Sequence, residues 1–277
     1  MLSVYTLSFQ RYSLFKRDHV PSKFITFTLP MNYLLIIPRT LWKLLFLLNF
    51  VLGLLVLYPL FYLLLSRKKW FRLAFKLKKV WACWILVVPG LFVRITRKTP
   101  KANLPQPCIY CSNHVSYLDI VTSYIFIPNY FVFMGKQELN KAPLFNIFFR
   151  EMNILVDRKS TMSSHRAFLR AANELKQGNS VFLYPEGTIS SSGKLRGFKN
   201  GAFKLAIEQQ VPIVPITYLN NWKLLQNGGF FKAHGRPGVS RIIMHEPIPT
   251  AGMTEDDLVS LRSKVHQIIS DDLAKRP

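Results

Sequence analysis

The chain has 277 residues, enough for one large domain or two small ones with a sizeable buried core. Hydrophobic residues make up 49% and charged residues 18%, which excludes intrinsic disorder over most of the chain, and three cysteines exclude a disulfide scaffold. Of the net charge of +23, residues 1–101 supply 17 basic against 1 acidic side chain, so the excess is N-terminal and the remainder is only mildly basic.

Residues 1–40 read as a leader. The first thirty show neither an apolar h-region nor a small-residue cleavage site, and Met31 is a candidate true start. Residues 44–65 then run without a charge and are dominated by Leu, Val and Phe. As a helix this run is about 33 Å long, against a bilayer core of about 30 Å. Arg67, Lys68 and Lys69 follow at once, and by the positive-inside rule that flank lies in the cytoplasm. A second apolar run, residues 80–93, is too short to span and is broken by Pro89 and Gly90. Trp70, Trp81 and Trp84 suit the headgroup level, and Arg72, Lys76 and Lys79 at helical spacing predict a cationic face. Residues 41–101 therefore read as a membrane-attachment unit with a basic flank. Its cations interleave with apolar residues instead of forming a polar face, which argues against a nucleic-acid partner.

Residues 102–277 read as a single α/β domain. Short apolar or β-branched runs at 108–111, 130–134, 154–156, 181–184, 213–219 and 241–244 predict strands. Helices are expected over 163–177, with Gly178 as the stop, over 200–209, and near 254–273, where Thr254 and Asp257 have capping-box spacing. Alternation of strand and helix predicts a mostly parallel sheet flanked by helices. Pro212 and Pro215 place the 213–219 strand at an edge or at a strand start.

The chemistry-bearing segment is Asn113-His114-Val115-Ser116-Tyr117-Leu118-Asp119. Ser116 and Asp119 have the spacing of a helix N-cap and its acidic partner. Residues five apart on one helix point about 140° away from each other, so His114 and Asp119 meet only if the histidine precedes the helix. It can then fold back onto the carboxylate as the base and orienter of a triad whose nucleophile is a substrate hydroxyl. A plain capping box with a loop histidine is the competing structural reading. Glu186-Gly187-Thr188 ends the 181–184 strand, where α/β folds gather ligands. Lys199 precedes a helix start, which suits an anion, and Arg158 ends another strand with a fork suited to phosphate. Cys108 and Cys111 are expected as core thiols, the histidines other than His114 as incidental, and no metal site is expected.

In this order, and after an apolar N-terminal unit, these motifs resemble the 1-acyl-sn-glycerol-3-phosphate acyltransferases over roughly residues 105–216. The resemblance implies an acyltransferase-like α/β fold, with His114 as general base and Asp119 as its orienter. It implies that Arg158 and Glu186-Gly187-Thr188 bind the glycerol phosphate. The acyl chain would come from acyl-CoA or acyl carrier protein, with no cofactor, and pass to a lysophospholipid beside the membrane. Glycerol 3-phosphate or a lyso-aminolipid as acceptor, or a non-catalytic lipid-binding surface protein, are the alternatives. One departure is Ile189, where the family usually has Arg; either a phosphate contact is missing or Lys194, Arg196 or Lys199 supplies it.

Overall fold

In the computed structural model, which describes residues 36–141, 144–150 and 152–276, two helices lead into a seven-stranded sheet. The expectations for a leader and for a start at Met31 lie outside the described residues, apart from 36–40, which already belong to the first helix. That helix, α1, spans Ile36–Leu65, and α2 spans Phe71–Val87. The strands are β1 (Leu91–Arg97), β2 (Ile109–Ser112), β3 (Phe131–Lys136), β4 (Ile154–Val156), β5 (Ser180–Leu183), β6 (Ile213–Tyr218) and β7 (Gly238–Met244). Between them lie α3 (Leu118–Phe126), α4 (Ile147–Arg150), α5 (Thr161–Lys176), α6 (Gly201–Gln209) and α7 (Asn221–Leu224), and α8 (Leu258–Ala274) closes the chain.

The strand order is β1-β7-β6-β2-β5-β3-β4, and every neighbouring pair is parallel except β6 with β7. β2, β5 and β6 are buried at every position, as parallel strands covered on both faces must be, which is why they read as unbroken apolar runs. Tyr110, Phe131 and Phe182 fill the centre with stacked and edge-on rings. Gly178, at φ +78°, ends α5 as expected, and the Thr254–Asp257 capping box is present ahead of α8.

Several expectations are corrected. The 80–93 run is not one element: α2 stops at Val87, Pro89 and Gly90 turn the chain, and residues 91–97 become β1 of the sheet. The α/β domain therefore begins about ten residues before position 102. β6 is an interior strand, so of the two alternatives the strand start holds, with Pro212 immediately before Ile213, and the edge does not. Pro215 is tolerated there because its missing N–H faces the β7 side, between the Ile213–Ile248 bridge and the Ile216–Met244 pair, where its carbonyl alone is used, by His245 N–H at 3.0 Å. The cationic face of α2 is partly turned inward: Arg72 lies over the Tyr130 ring, and Lys79 donates to the carbonyls of Ile127 and Pro128. Trp81 is not at a headgroup level but buried against Phe50, Phe61 and Phe148. His245 is likewise not incidental, since its Nε2 lies 2.7 Å from Asp272 and straps α8 to the end of β7.

α1 is docked along its length. Lys43, Asn49, Gly53, Leu54, Phe61 and Leu65 are buried against α2 and the domain. The opposite face exposes Ile37, Leu41, Leu44, Leu48, Leu52, Leu55 and Leu63. It is the one helix among the described residues that is long and apolar enough to cross a membrane.

Candidate active site

The carboxyl ends of β2, β5 and β6 lie side by side, and the segments leaving them build the site. β2 delivers Asn113, whose side chain brackets the end of β6: its Nδ2 donates to the Tyr218 carbonyl at 3.0 Å and its Oδ1 accepts from Tyr218 N–H at 2.8 Å. The next residue, His114, is buried and precedes α3, as the five-residue spacing requires.

Asp119 sits in the first turn of α3 and is fully buried. Its Oδ2 accepts from Val115 N–H at 2.7 Å and Ser116 N–H at 2.9 Å, and lies 2.9 Å from His114 Nδ1. An ionised carboxylate only accepts, so Nδ1 carries the proton and the lone pair of the neutral ring is on Nε2. Nε2 has no protein partner among the described residues. Asp119 thus serves at once as helix-capping acid and as imidazole partner, so the two competing readings of this segment describe one geometry. Ser116 fills the cap role only in part, its Oγ accepting from Leu118 N–H at 3.1 Å and donating to the Leu225 carbonyl at 2.6 Å.

His114 is fixed on every other side. Its N–H donates to Glu186 Oε1 at 2.7 Å, its carbonyl accepts from Ser190 N–H at 2.8 Å, and its ring stacks on Tyr184 at 3.8 Å between centroids. Glu186 is buried, and its second oxygen accepts from Arg196 N–H at 3.1 Å. Burial pushes its carboxyl up to about 7 against the pull of those two donors. Both carboxylate oxygens are thus engaged by backbone N–H groups.

Gly187, Thr188, Arg158 and Lys199 come together beside it. Gly187 has φ +72°, a conformation suited to glycine, and a Cβ there would meet Lys199 Nζ at 3.3 Å. Arg158 Nη1 donates to the Gly187 carbonyl, and burial lowers its pKa. Lys199 N–H donates to the Pro185 carbonyl at 2.9 Å, and Thr188 is exposed on the surface beside them. Of the three cations that could replace an Arg at position 189, Lys199 is the one whose side chain lies against Gly187.

Two groups had no signal in the sequence. Asn221, in α7, donates its Nδ2 to Asp119 Oδ1 at 2.9 Å across 102 residues of chain. Tyr184 read only as the end of a strand. Cys108 and Cys111 are buried free thiols, and among the described residues no group of His, Cys, Asp and Glu could hold a metal ion.

Residues 94–219 match the family model described as Acyltransferase. Over those residues the chain is similar to that acyltransferase family. It is 36% identical over 150 residues to a chloroplastic 1-acyl-sn-glycerol-3-phosphate acyltransferase of Brassica napus, covering 53% of this chain and 43% of that protein. It is 31% identical over 177 residues to 1-acyl-sn-glycerol-3-phosphate acyltransferase beta of Homo sapiens, covering 63% and 62%. The chain thus spans about half the length of the plant relatives it matches. Its fold is that of the solved 1-acyl-sn-glycerophosphate acyltransferase PlsC from Thermotoga maritima, at a TM-score of 0.71 and 22% identity, over 88% of this chain and 97% of that one.

Proposed function

We propose that this protein transfers an acyl chain from an acyl thioester to the free hydroxyl of 1-acyl-glycerol-3-phosphate. The observation that carries the proposal is the buried His114–Asp119 pair, 2.9 Å apart, with Nε2 left without a protein partner among the described residues at the carboxyl end of the sheet. His114 Nε2 takes the proton of the acceptor hydroxyl as that oxygen attacks the thioester carbonyl. Asp119 holds the Nδ1–H tautomer and stabilises the imidazolium. Collapse of the tetrahedral intermediate breaks the carbon–sulfur bond, and the imidazolium returns its proton to the departing thiolate. Arg158, Gly187, Thr188 and Lys199 receive the acceptor's phosphate, as a guanidinium and an ammonium on either side of a glycine suit an anion. Glu186 acts through position, tying the backbone of His114 to that of Arg196.

The apolar face of α1 supports attachment to a membrane in the plane of the interface. A helix crossing the bilayer could not be docked along its length on a water-soluble domain, whereas an interfacial helix buries one face in protein and the other in lipid. Arg67, Lys68 and Lys69 at its end favour the anionic cytoplasmic leaflet.

The deciding experiment incubates the purified protein in detergent with an acyl thioester and, in parallel, lysophosphatidate, glycerol 3-phosphate and a lyso-aminolipid. Phosphatidate should be the main product, and His114→Ala should lower its rate at least ~10²-fold. Transfer only to one of the other acceptors would replace the proposed substrate. No transfer by the wild type would leave a lipid-binding protein.

A further inference from the structure

A cavity of about 310 Å³ opens where the segment between β6 and β7 meets the start of α1. It is lined by Arg39, Trp222, Lys223, His234, Gly235 and Arg236. Four of the six are basic or imidazole groups and none is acidic. Among the described residues no salt bridge joins Arg39, His234 or Arg236 to a carboxylate. Their positive fields add to burial in lowering the His234 pKa.

The cavity is a built feature. Lys43 of α1 donates its ammonium to the carbonyls of Phe230 and Ala233, strapping the segment onto the helix. Gly235 is pressed so closely on α1 that a Cβ would come within 2.5 Å of Lys43 Cγ. Trp42 fixes the same end of α1 by donating to the Pro89 carbonyl at 2.8 Å. The segment that lines the cavity is tied to the His114–Asp119 region: Trp222 follows Asn221, the donor to Asp119, and the Leu225 carbonyl accepts from Ser116.

Its place in the sheet gives it meaning. Arg158 and Lys199 follow β4 and β5, on one side of His114, while the cavity follows β6, on the other. Transfer between two phosphate-bearing substrates needs a cationic seat on each side of the base, and one seat is already given to the acceptor. We infer that the cavity seats the phosphates of the acyl donor, a coenzyme A thioester. The inference rests on the acyltransfer reading above. Several cations suit a diphosphate and a ribose phosphate better than the single phosphodiester of a carrier protein's prosthetic group.

The test uses the full chain in detergent, with Arg39→Ala and Arg236→Ala, and two donors: an acyl-coenzyme A and the same acyl group on N-acetylcysteamine, which has no phosphate. Each substitution should raise KM for the coenzyme A thioester about tenfold and leave acceptor KM within about twofold. Neither should change the kinetics of the phosphate-free donor, and Arg236→Lys should recover part of the loss. Calorimetry with coenzyme A alone should show the same weakening. Unchanged donor KM, equal effects on both donors, or use of carrier-protein thioesters only would overturn the inference. Weakened binding to phosphatidylglycerol vesicles with donor KM intact would also overturn it, in favour of a lipid headgroup. Absence of acyl transfer in the wild type removes the proposed function; coenzyme A binding that is lost in both variants then still upholds the seat, and no binding at all refutes it.

Discussion

Asp119→Asn separates the catalytic contribution of the carboxylate from its structural one. Three donors converge on Asp119 Oδ2, and a fourth, Asn221 Nδ2, meets Oδ1. An asparagine at 119 keeps an acceptor oxygen for the first three but turns an NH₂ toward Asn221. The Asn221 Oδ1 is buried without a partner among the described residues, so its amide can turn over and accept that NH₂. The network is rebuilt with neutral hydrogen bonds in place of charge-assisted ones, and the loss of stability should be about 1–3 kcal/mol.

Catalysis has no such remedy. Opposite charges about 4 Å apart at an effective dielectric of about 20 attract by roughly 4 kcal/mol, and that attraction is present only once the imidazolium has formed. Its loss corresponds to about 10³-fold in turnover. The assay is thiol release from an acyl-coenzyme A with lysophosphatidate as acceptor, alongside a thermal melt of the same detergent-purified protein. A variant that keeps a third or more of wild-type turnover would refute the proposed role of Asp119. A variant that no longer shows a cooperative melt would refute the claim that Asn221 can compensate.

Arg158→Ala should raise acceptor KM more than it lowers turnover, because the proposed phosphate contact would be made in ground and transition states alike; kinetics with lysophosphatidate would show it. It should also lower the melting temperature, since the Gly187 carbonyl loses its guanidinium donor. For Glu186, burial raises the folded-state pKa to about 7 from about 4.5, so the folded protein holds the extra proton between those values and stability falls as pH rises through that window. Glu186→Gln should flatten this part of a melting-temperature profile, and an unchanged profile would contradict the assignment. Lys78 has the opposite sign: burial lowers its pKa to about 7 from 10.5, and beneath the Tyr124 and Phe148 rings its ammonium has no hydrogen-bond partner among the described residues. The unfolded chain binds the proton over that range, so stability rises with pH from about 7 to about 10, and Lys78→Met should stabilise the protein at neutral pH by up to ~4 kcal/mol.

What the sequence revealed depended on how far apart the interacting residues are. β2, β4, β5 and β6 were legible within a residue or so because strands buried on both faces leave continuous apolar runs. β1 was hidden because its apolar start is continuous with α2, and only Pro89 and Gly90 separate helix from strand. The 147–150 and 221–224 helices are too short to show a period. The same rule governs the site. His114 and Asp119 are five residues apart, so their spacing carried the information. Asn221 is 102 residues from Asp119 and Glu186 is 72 from His114, and no local pattern marks either contact.

The position of Glu186 explains why a buried acid persists at a strand end where it destabilises the ionised fold. Two backbone N–H groups, from His114 and Arg196, converge on it from different loops, one on each oxygen. A carboxylate offers two acceptor oxygens, whereas glutamine of the same length offers one acceptor and one donor, and the donor would face an N–H. The acid is therefore the side chain that satisfies both loops at once, at a cost on the order of 3 kcal/mol when ionised above about pH 7. In return the backbone of His114 is held by Glu186 and Ser190 while its ring is held by Asp119 and Tyr184. A base gripped at both backbone and ring keeps Nε2 aimed at one point, so in the proposed reaction the acceptor hydroxyl and the thioester carbonyl need only be brought to that point by the phosphates their molecules carry.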